Sequence, residues 1–151
     1  MKIYHGSNVV VEHPDVRVRG FEKDFGYGFY CTAMELQTKK WALTKKNCHI
    51  VNVYEMMEVD DDCRVLKFGD MSEEWLDFVV SCRRGVPHSY DIVEGPMADD
   101  QIWNYIEDFV SGDISRSAFW ELVKFRHPTH QVVFCSQKAL CHIQYIKSYS
   151  L

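Results

Sequence analysis

Two stretches determine the predicted fold: YHGS at residues 4–7 and FGYGFYCT at residues 25–32. In the first, a short strand ends at a histidine and a glycine. In the second, Gly26 and Gly28 form a turn that leads into the apolar strand Phe29–Cys31. A glycine lets a ligand approach the backbone closely because it has no Cβ atom. Two arrangements fit: a hairpin-rich core that contains a histidine, or a slot for a flat, polar ligand that carries phosphate.

The composition indicates a single domain over residues 1–151. Of these residues 46% are hydrophobic and 14% aromatic, enough to bury one substantial core. The formal net charge of −5 argues against a nucleic-acid binder that relies on neutralising phosphates. No apolar run reaches the ~18 residues of a membrane helix, and the N-terminus lacks the apolar segment of a signal peptide. We therefore expect a cytoplasmic protein with no membrane partner.

The six cysteines are scattered along the chain and predict no metal site. None belongs to a Cys-x-x-Cys pair, and nothing has zinc-finger spacing. Cys135, Cys141 and His142 lie near one another in sequence, but reduced and buried thiols are the favoured interpretation. This use of cysteine is typical of a reducing compartment.

The order of the predicted elements gives an α+β fold, with strands at both ends of the chain and helices in the middle. Strands are predicted at residues 2–4, 29–31, 49–57, 89–94, 130–135 and 143–149, and helices at residues 32–45, 72–84, 98–110, 115–125 and 136–142. A Thr-x-x-Glu capping box predicts the start of the first helix at Thr32. Met34, Thr38 and Trp41 follow at helical spacing and are expected on one face.

The ordered motifs resemble those of the ADP-ribosyltransferases, in the His-Tyr-Glu branch that holds diphtheria toxin and the poly(ADP-ribose) polymerases. More narrowly, the chain resembles DUF3990, a small and mostly bacterial family of ADP-ribosyltransferase-like proteins of unknown function. The motifs that carry this resemblance are YHGS, DFGYGFYCT, WA at Trp41, YDIVEGPMADD from Tyr90, and HQVVFCSQKAL from His130. Together they span nearly the whole chain. The resemblance implies a split antiparallel sheet with flanking helices.

The resemblance also implies a binding site for NAD+ as substrate, formed by His5, Gly6, Ser7, Tyr30, Thr38 and Trp41. In this fold the first-strand histidine binds the nicotinamide ribose, and the following backbone holds the carboxamide. These roles fall on His5 and Gly6. Tyr30 would pack on the nicotinamide, Trp41 would stack from the next helix, and the Thr38 hydroxyl would meet the carboxamide. The implied catalytic residues are His5, Tyr30 and, from the end of the chain, Gln131.

Gln131 stands where the resemblance implies a glutamate, with His130 as the alternative if the register differs by one residue. A glutamine can orient the ribose 2′-hydroxyl but carries no charge and is not a base. Losing such charge stabilisation costs about 3 kcal/mol, or about 100-fold in rate. Asp24, Asp99 and Asp100 are candidates for a recruited acid. Asp99 and Asp100 are also explained as acids at a helix N-terminus.

The expected function is NAD+-dependent mono-ADP-ribosyl transfer to a macromolecular acceptor, a protein rather than a nucleic acid because of the negative net charge. The alternatives are a catalytically weak or silent NAD-binding module and an NAD glycohydrolase toxin. Arg17, Arg19 and Lys23 are candidates to meet the pyrophosphate, although solvated loop charges are the simpler explanation.

Overall fold

The computed structural model describes residues 1–18, 23–44, 46–47 and 49–151. Arg19, the predicted helix end at Lys45, and Cys48 lie outside these residues. The strands are β1 (Lys2–Ser7), β2 (Phe29–Cys31), β3 (Ile50–Met56), β4 (Val65–Lys67), β5 (Ile92–Gly95), β6 (Gln131–Phe134) and β7 (Ile143–Ser150). The helices are α1 (Glu35–Thr44), α2 (Glu73–Arg83), α3 (Asp100–Val110), α4 (Arg116–Val123) and α5 (Gln137–Leu140). The predicted α+β class is confirmed.

The strands form two sheets that meet at one point. The first sheet has the order β1-β3-β7 and the second the order β2-β6-β5-β4. Among the described residues, a single bridge pair joins β1 to the end of β2: the Tyr4 amide donates to the Thr32 carbonyl at 2.8 Å, and the Thr32 amide to the Tyr4 carbonyl at 3.0 Å. Beyond this pair the sheets separate, and a cleft opens between them.

One strand pair departs from the expected antiparallel arrangement. Strands β4 and β5 pair in parallel, because α2 carries the chain from one end of the sheet back to the other. Strand β4 was not predicted from the sequence. Its three residues, Val65–Lys67, are too few to show an alternating pattern.

The second sheet is buried on both faces, and this explains the continuous apolar run in β6. Val133 packs with Trp75, Phe119 and other residues of α2, α3 and α4 on one face. Val132 and Phe134 point to the opposite face, where they pack with β1, β3 and α5. The position of Gln131 at the start of this buried strand places its side chain at the rim of the core.

Helix α1 differs from its predicted start and face. The helix begins at Glu35 and the predicted capping box does not form. The Thr32 hydroxyl accepts from the Met34 amide at 3.0 Å, and the Glu35 carboxylate accepts from the Tyr149 hydroxyl at 2.6 Å. Its buried residues are Thr38 and Ala42, whereas Met34 is exposed. Trp41 is 43% exposed and lies at the edge of the cleft.

No helix in the described part of the chain is long and apolar enough to cross a membrane. The five cysteines within that part, Cys31, Cys63, Cys82, Cys135 and Cys141, are all free thiols.

Candidate functional site

The candidate site is the cleft of about 440 Å³ at the point where the two sheets separate. Its lining comes from β1, α1, the chain before and within β2, the end of α2, the start of α3 and the start of β6. The described residues that line it are Tyr4, His5, Gly6, Lys23, Asp24, Tyr30, Cys31, Thr32, Gln37, Thr38, Trp41, Thr44, Arg83, Met97, Ala98, Asp99, Asp100 and Gln131. Of the residues predicted to bind NAD+ or to act in catalysis, the cleft thus brings together all except Ser7, which is buried and accepts from the Val9 amide at 3.3 Å.

The backbone of Gly6 forms a strand edge in this cleft that no other described strand pairs with. Backbone groups alternate between the two sides of a strand, so the N–H and C=O of Gly6 point to the same side as those of Tyr4. Those of Tyr4 bond to Thr32, on the side opposite β3. One step further along β1 the sheets have separated. The Gly6 amide and carbonyl therefore present a donor and an acceptor to the cleft.

The Trp41 ring packs directly on Gly6. A Cβ atom at residue 6 would lie 3.0 Å from Cε3 and 3.1 Å from Cζ3 of Trp41, and 3.5 Å from Cγ2 of Thr38. Only glycine allows this approach without displacement of the ring. Thr38, one turn earlier on α1, is buried and also lies next to residue 6. Helix α1 thus places the Thr38 hydroxyl and the Trp41 indole beside this edge of β1.

His5 is held as a neutral hydrogen-bond acceptor. Its Nδ1 lies 2.7 Å from the Tyr30 carbonyl, which can only accept, so Nδ1 carries the proton and Nε2 has the free lone pair. The ring also packs on Phe29, with centroids 4.3 Å apart. Burial, together with the positive charges of Arg17 and Lys23, lowers the pKa of His5 to about 4. His5 is therefore uncharged at neutral pH.

Tyr30 is fixed by its hydroxyl and offers its ring to the cleft. The hydroxyl donates to the Gly26 carbonyl at 2.5 Å and accepts from the Phe25 amide at 3.2 Å, and burial raises its pKa. The Lys23 ammonium lies 4.8 Å from the ring centroid. With its hydroxyl engaged by the glycine turn, Tyr30 can act on a ligand through the aromatic face.

The glycine turn itself serves packing rather than ligand binding. A Cβ at Gly28 would lie 2.5 Å from Cγ1 of Val133 and 2.8 Å from the Phe134 carbonyl oxygen, so the turn closes onto β6. Neither Gly26 nor Gly28 lines the cleft among the described residues.

Gln131 is oriented so that its carbonyl oxygen is the group left for a ligand. Its Nε2 donates to Asp24 Oδ2 at 3.0 Å and to the Pro96 carbonyl at 3.3 Å. Both partners are acceptors, which fixes the amide with its nitrogen toward them. Both N–H groups are thus used. The Oε1 atom of Gln131, a residue that lines the cleft and is 6% exposed, remains as an acceptor.

Asp24 is a buried acid whose acceptor positions are filled. Arg83 donates to Oδ1 from Nε at 2.8 Å and also from Nη2, while Oδ2 accepts from the Ala98 amide at 2.7 Å and from Gln131. The Arg83 guanidinium also lies 4.0 Å from the Trp103 ring centroid. With four donors on a 5% exposed carboxylate, Asp24 positions Gln131 and has no lone pair to spare for a ligand.

The two other candidate acids stand at the start of α3. Asp99 is the N-cap, and its Oδ1 accepts from the Ile102 amide at 2.9 Å, so α3 begins two residues after its predicted start at residue 98. Asp100 follows in the first turn and is exposed. Both line the cleft, so the YDIVEGPMADD stretch contributes to the site as well as docking α3.

His130, the alternative to Gln131, does not line the cleft. Its Nε2 lies 3.0 Å from Glu94 Oε1, and its Nδ1 accepts from the Ala33 amide at 3.0 Å. Gln37 bonds to both backbone groups of His130, at 3.0 and 2.8 Å. With both ring nitrogens engaged, His130 ties α1 to the second sheet.

The model of the DUF3990 family, described as a protein of unknown function, matches residues 1–145. The chain belongs to this family. The matched range contains every described residue that lines the cleft of this DUF3990 domain. No curated protein and no solved structure gives a significant match.

Sequence reasoning missed the role of Arg83 in this DUF3990 domain. A basic residue in the last turn of a helix is explained by its interaction with the helix dipole, so Arg83 alone gives no reason to expect a partner. However, Arg83 follows the buried Val79 by four residues and so continues the apolar stripe of the helix. A charged residue on such a stripe is a signal for a buried partner, and Asp24 is that partner.

Proposed function

We propose that this DUF3990 domain binds NAD+ in the cleft and transfers ADP-ribose to a protein acceptor. The observation that carries the proposal is the free edge at Gly6, which faces a cleft also lined by Tyr30, Trp41 and Gln131. A donor and an acceptor from one strand residue match the two polar groups of a primary carboxamide. The two sheets that separate after Tyr4 support the resemblance to the ADP-ribosyltransferase fold.

In this proposal the nicotinamide carboxamide pairs with the Gly6 amide and carbonyl, with the Thr38 hydroxyl beside it. The ring packs on Tyr30 and Trp41, which supply apolar surface and offset stacking. His5 accepts a hydrogen bond from a ribose hydroxyl at Nε2, because its Nδ1 is committed to Tyr30. Lys23, and Arg17 nearby, provide positive charge for the pyrophosphate.

The chemical step breaks the bond between ribose C1′ and the nicotinamide nitrogen. Nicotinamide leaves with the electron pair, positive charge develops on the ribose, and an acceptor atom attacks C1′ and loses its proton to solvent or to a base of the acceptor. Gln131 would accept from the 2′-hydroxyl and hold the ribose. The Asp24 charge behind the amide is compensated by Arg83, so the stabilisation is weaker than that of a free glutamate, by about 100-fold in rate.

Two other functions use the same cleft. A silent NAD-binding module is favoured because Asp24, the acid bonded to Gln131, has its acceptor positions filled. An NAD glycohydrolase toxin would use water in place of the protein acceptor.

The test combines NAD+ titration calorimetry with nicotinamide release and transfer of labelled ADP-ribose in a lysate. The proposal expects binding, release and transfer, all lost in His5→Ala and Tyr30→Ala but kept in Gly69→Ala, where a Cβ meets nothing within 4 Å. Release without transfer would identify a glycohydrolase, and binding without release a silent module. The absence of both binding and transfer would refute the proposal.

A further inference from the structure

We propose that Asp60, Cys63 and His142 form a binding site for a thiophilic divalent cation such as Zn²⁺. One ligand atom from each residue lies within 4.8 Å of those from the other two. None of the three is among the described residues that line the cleft, so the proposal is independent of NAD+ binding.

The chain brings these residues together through two local turns. The Cys63 amide donates to the Asp60 carbonyl at 3.3 Å, which places the two side chains on the same turn after β3. His142 follows α5, and its carbonyl accepts from the Met57 amide at 2.8 Å. This bond anchors the histidine next to the end of β3. Backbone hydrogen bonds therefore hold the three residues next to one another, and only their side chains need to adjust to a ligand.

The tautomer of His142 is the one that a metal ligand requires. Its Nδ1 lies 3.2 Å from the Ala139 carbonyl, which can only accept, so Nδ1 donates and Nε2 keeps its lone pair. Histidine ligands commonly donate their second N–H to a backbone carbonyl in this way, which fixes the ring and raises the basicity of the free nitrogen.

The distance between the ligand atoms of His142 and Asp60 suits a tetrahedral ion. Nε2 of His142 lies 3.3 Å from Asp60 Oδ2. Zinc bonds to nitrogen and oxygen at tetrahedral angles give an edge of about 3.4 Å between the two atoms. The Cys63 sulfur lies 3.9 Å from Nδ1 of the same ring. Because Nδ1 is committed to the Ala139 carbonyl, the Cys63 side chain would have to turn toward Nε2, and the exposed Asp60 side chain would have to adjust, to complete three ligand bonds. Water would take the fourth position.

The donor set selects the class of ion. A thiolate and an imidazole favour zinc and similar ions over magnesium and calcium, which prefer oxygen ligands. Cys63 is 8% exposed and His142 is 9% exposed, while Asp60 is open to solvent and gives the ion a path of entry. On binding, the sulfur–metal bond forms as the thiol proton is released to solvent.

The experiment titrates chelator-treated, reduced protein with Co²⁺ and then displaces it with Zn²⁺. The expected result is one Co²⁺ per chain, with tetrahedral d–d absorption and a sulfur-to-cobalt charge-transfer band. Cys63→Ser should lose the charge-transfer band, while Cys141→Ser, at an exposed thiol next to His142, should keep it. Asp60→Asn should weaken binding by about tenfold or more, while Asp61→Asn, its exposed neighbour, should not.

Circular dichroism would show whether Cys63→Ser is folded. If it is not, the pair Asp60→Asn and Asp61→Asn decides, because both residues are exposed and neither substitution disturbs the core. The proposal is overturned if the wild-type protein takes up no Co²⁺, if the band survives Cys63→Ser and disappears in Cys141→Ser, or if Asp60→Asn and Asp61→Asn bind equally.

Discussion

The side-chain amide of Gln131 donates a hydrogen bond of 3.0 Å to the carboxylate of Asp24, 107 residues earlier in the chain. A second bond to the Pro96 carbonyl uses the other N–H group. These two bonds orient the side-chain amide so that Oε1 of Gln131 is the acceptor that faces the cleft. A glutamine at a position where the resemblance implies glutamate is thus a positioned acceptor, and the acid beside it belongs to a structural ion pair with Arg83.

The first prediction concerns Gln131→Glu, which places a second carboxylate against Asp24. The substitution replaces the two N–H donors of the Gln131 amide by a carboxylate oxygen that faces two acceptors, Asp24 and the Pro96 carbonyl. The variant should therefore lose about 3 kcal/mol of unfolding free energy at pH 7.5. The like charge raises the pKa of Glu at this site above its unfolded value. The stability of the variant is therefore present at low pH and lost as pH rises, and denaturant unfolding at pH 5 and 7.5 measures this.

The double variant Asp24→Asn with Gln131→Glu is the control for this prediction. The double variant restores a pair of one amide and one carboxylate, with the carboxylate now at residue 131 and the amide at residue 24. The Ala98 amide loses its acceptor in this arrangement. A double-mutant cycle should give a favourable coupling of about 1 kcal/mol or more. Additive losses, or a single Gln131→Glu variant with wild-type stability and much faster nicotinamide release, would contradict the described contact.

The second prediction concerns the buried ion pair. Arg83→Ala leaves the Asp24 carboxylate buried without its counter-ion and should cost about 3–5 kcal/mol of unfolding free energy. Arg84→Ala, at the exposed next residue, should change stability by about 0.5 kcal/mol or less. Denaturant unfolding compares the two, and equal effects would be inconsistent with a buried pair.

The starts of three helices were predictable because each is fixed by one local hydrogen bond. Ser72, Ser115 and Ser136 were predicted at the starts of helices, and each side chain accepts from the amide three residues on. The strand predicted at residues 130–135 likewise contains β6. His5, Gly6, Tyr30 and Trp41, predicted through the resemblance, all line the cleft.

The remaining features depend on contacts between distant segments. Strand β4 exists because β5 offers an edge to pair with, and its own three residues carry no periodic signal. The pair of Asp24 and Arg83 joins the chain before the glycine turn to the end of α2, 59 residues apart. The requirement for Gly28 comes from Val133. Local patterns contain no information on such pairs.

The third prediction concerns the neutral state of His5. Its pKa is about 4 in the folded protein, below the usual value of 6.5, so the unfolded chain binds a proton first as pH falls. The contribution of His5 to the free energy of unfolding is therefore full above pH 6.5. It decreases as pH falls from 6.5 to 4, by up to about 3 kcal/mol in total. His5→Gln should remove this part of the pH dependence, measured by denaturant unfolding. His127→Gln, at an exposed histidine, should retain it, and an identical pH profile for all three proteins would exclude a buried neutral His5.

The fourth prediction separates ligand binding from stability at the free edge of β1. In Gly6→Ala the new Cβ would lie 3.0 Å from the Trp41 ring, and the ring can yield because it is 43% exposed. The stability cost should therefore stay near 1 kcal/mol, since alanine is also the better strand residue. NAD+ affinity should fall by about tenfold or more, because the methyl group and the displaced indole occupy the space next to the carboxamide edge.

Gly69→Ala provides the matched control for the fourth prediction, since it makes the same chemical change where no atom lies within 4 Å. Calorimetric titration with NAD+ should give wild-type affinity for Gly69→Ala and weakened affinity for Gly6→Ala, with both proteins folded by circular dichroism. Nicotinamide alone should follow the same order, because the contact at residue 6 involves only the carboxamide. If Gly6→Ala bound NAD+ as tightly as the wild type, the carboxamide would not pair with the edge of β1, and the proposed orientation of NAD+ in the cleft would be wrong.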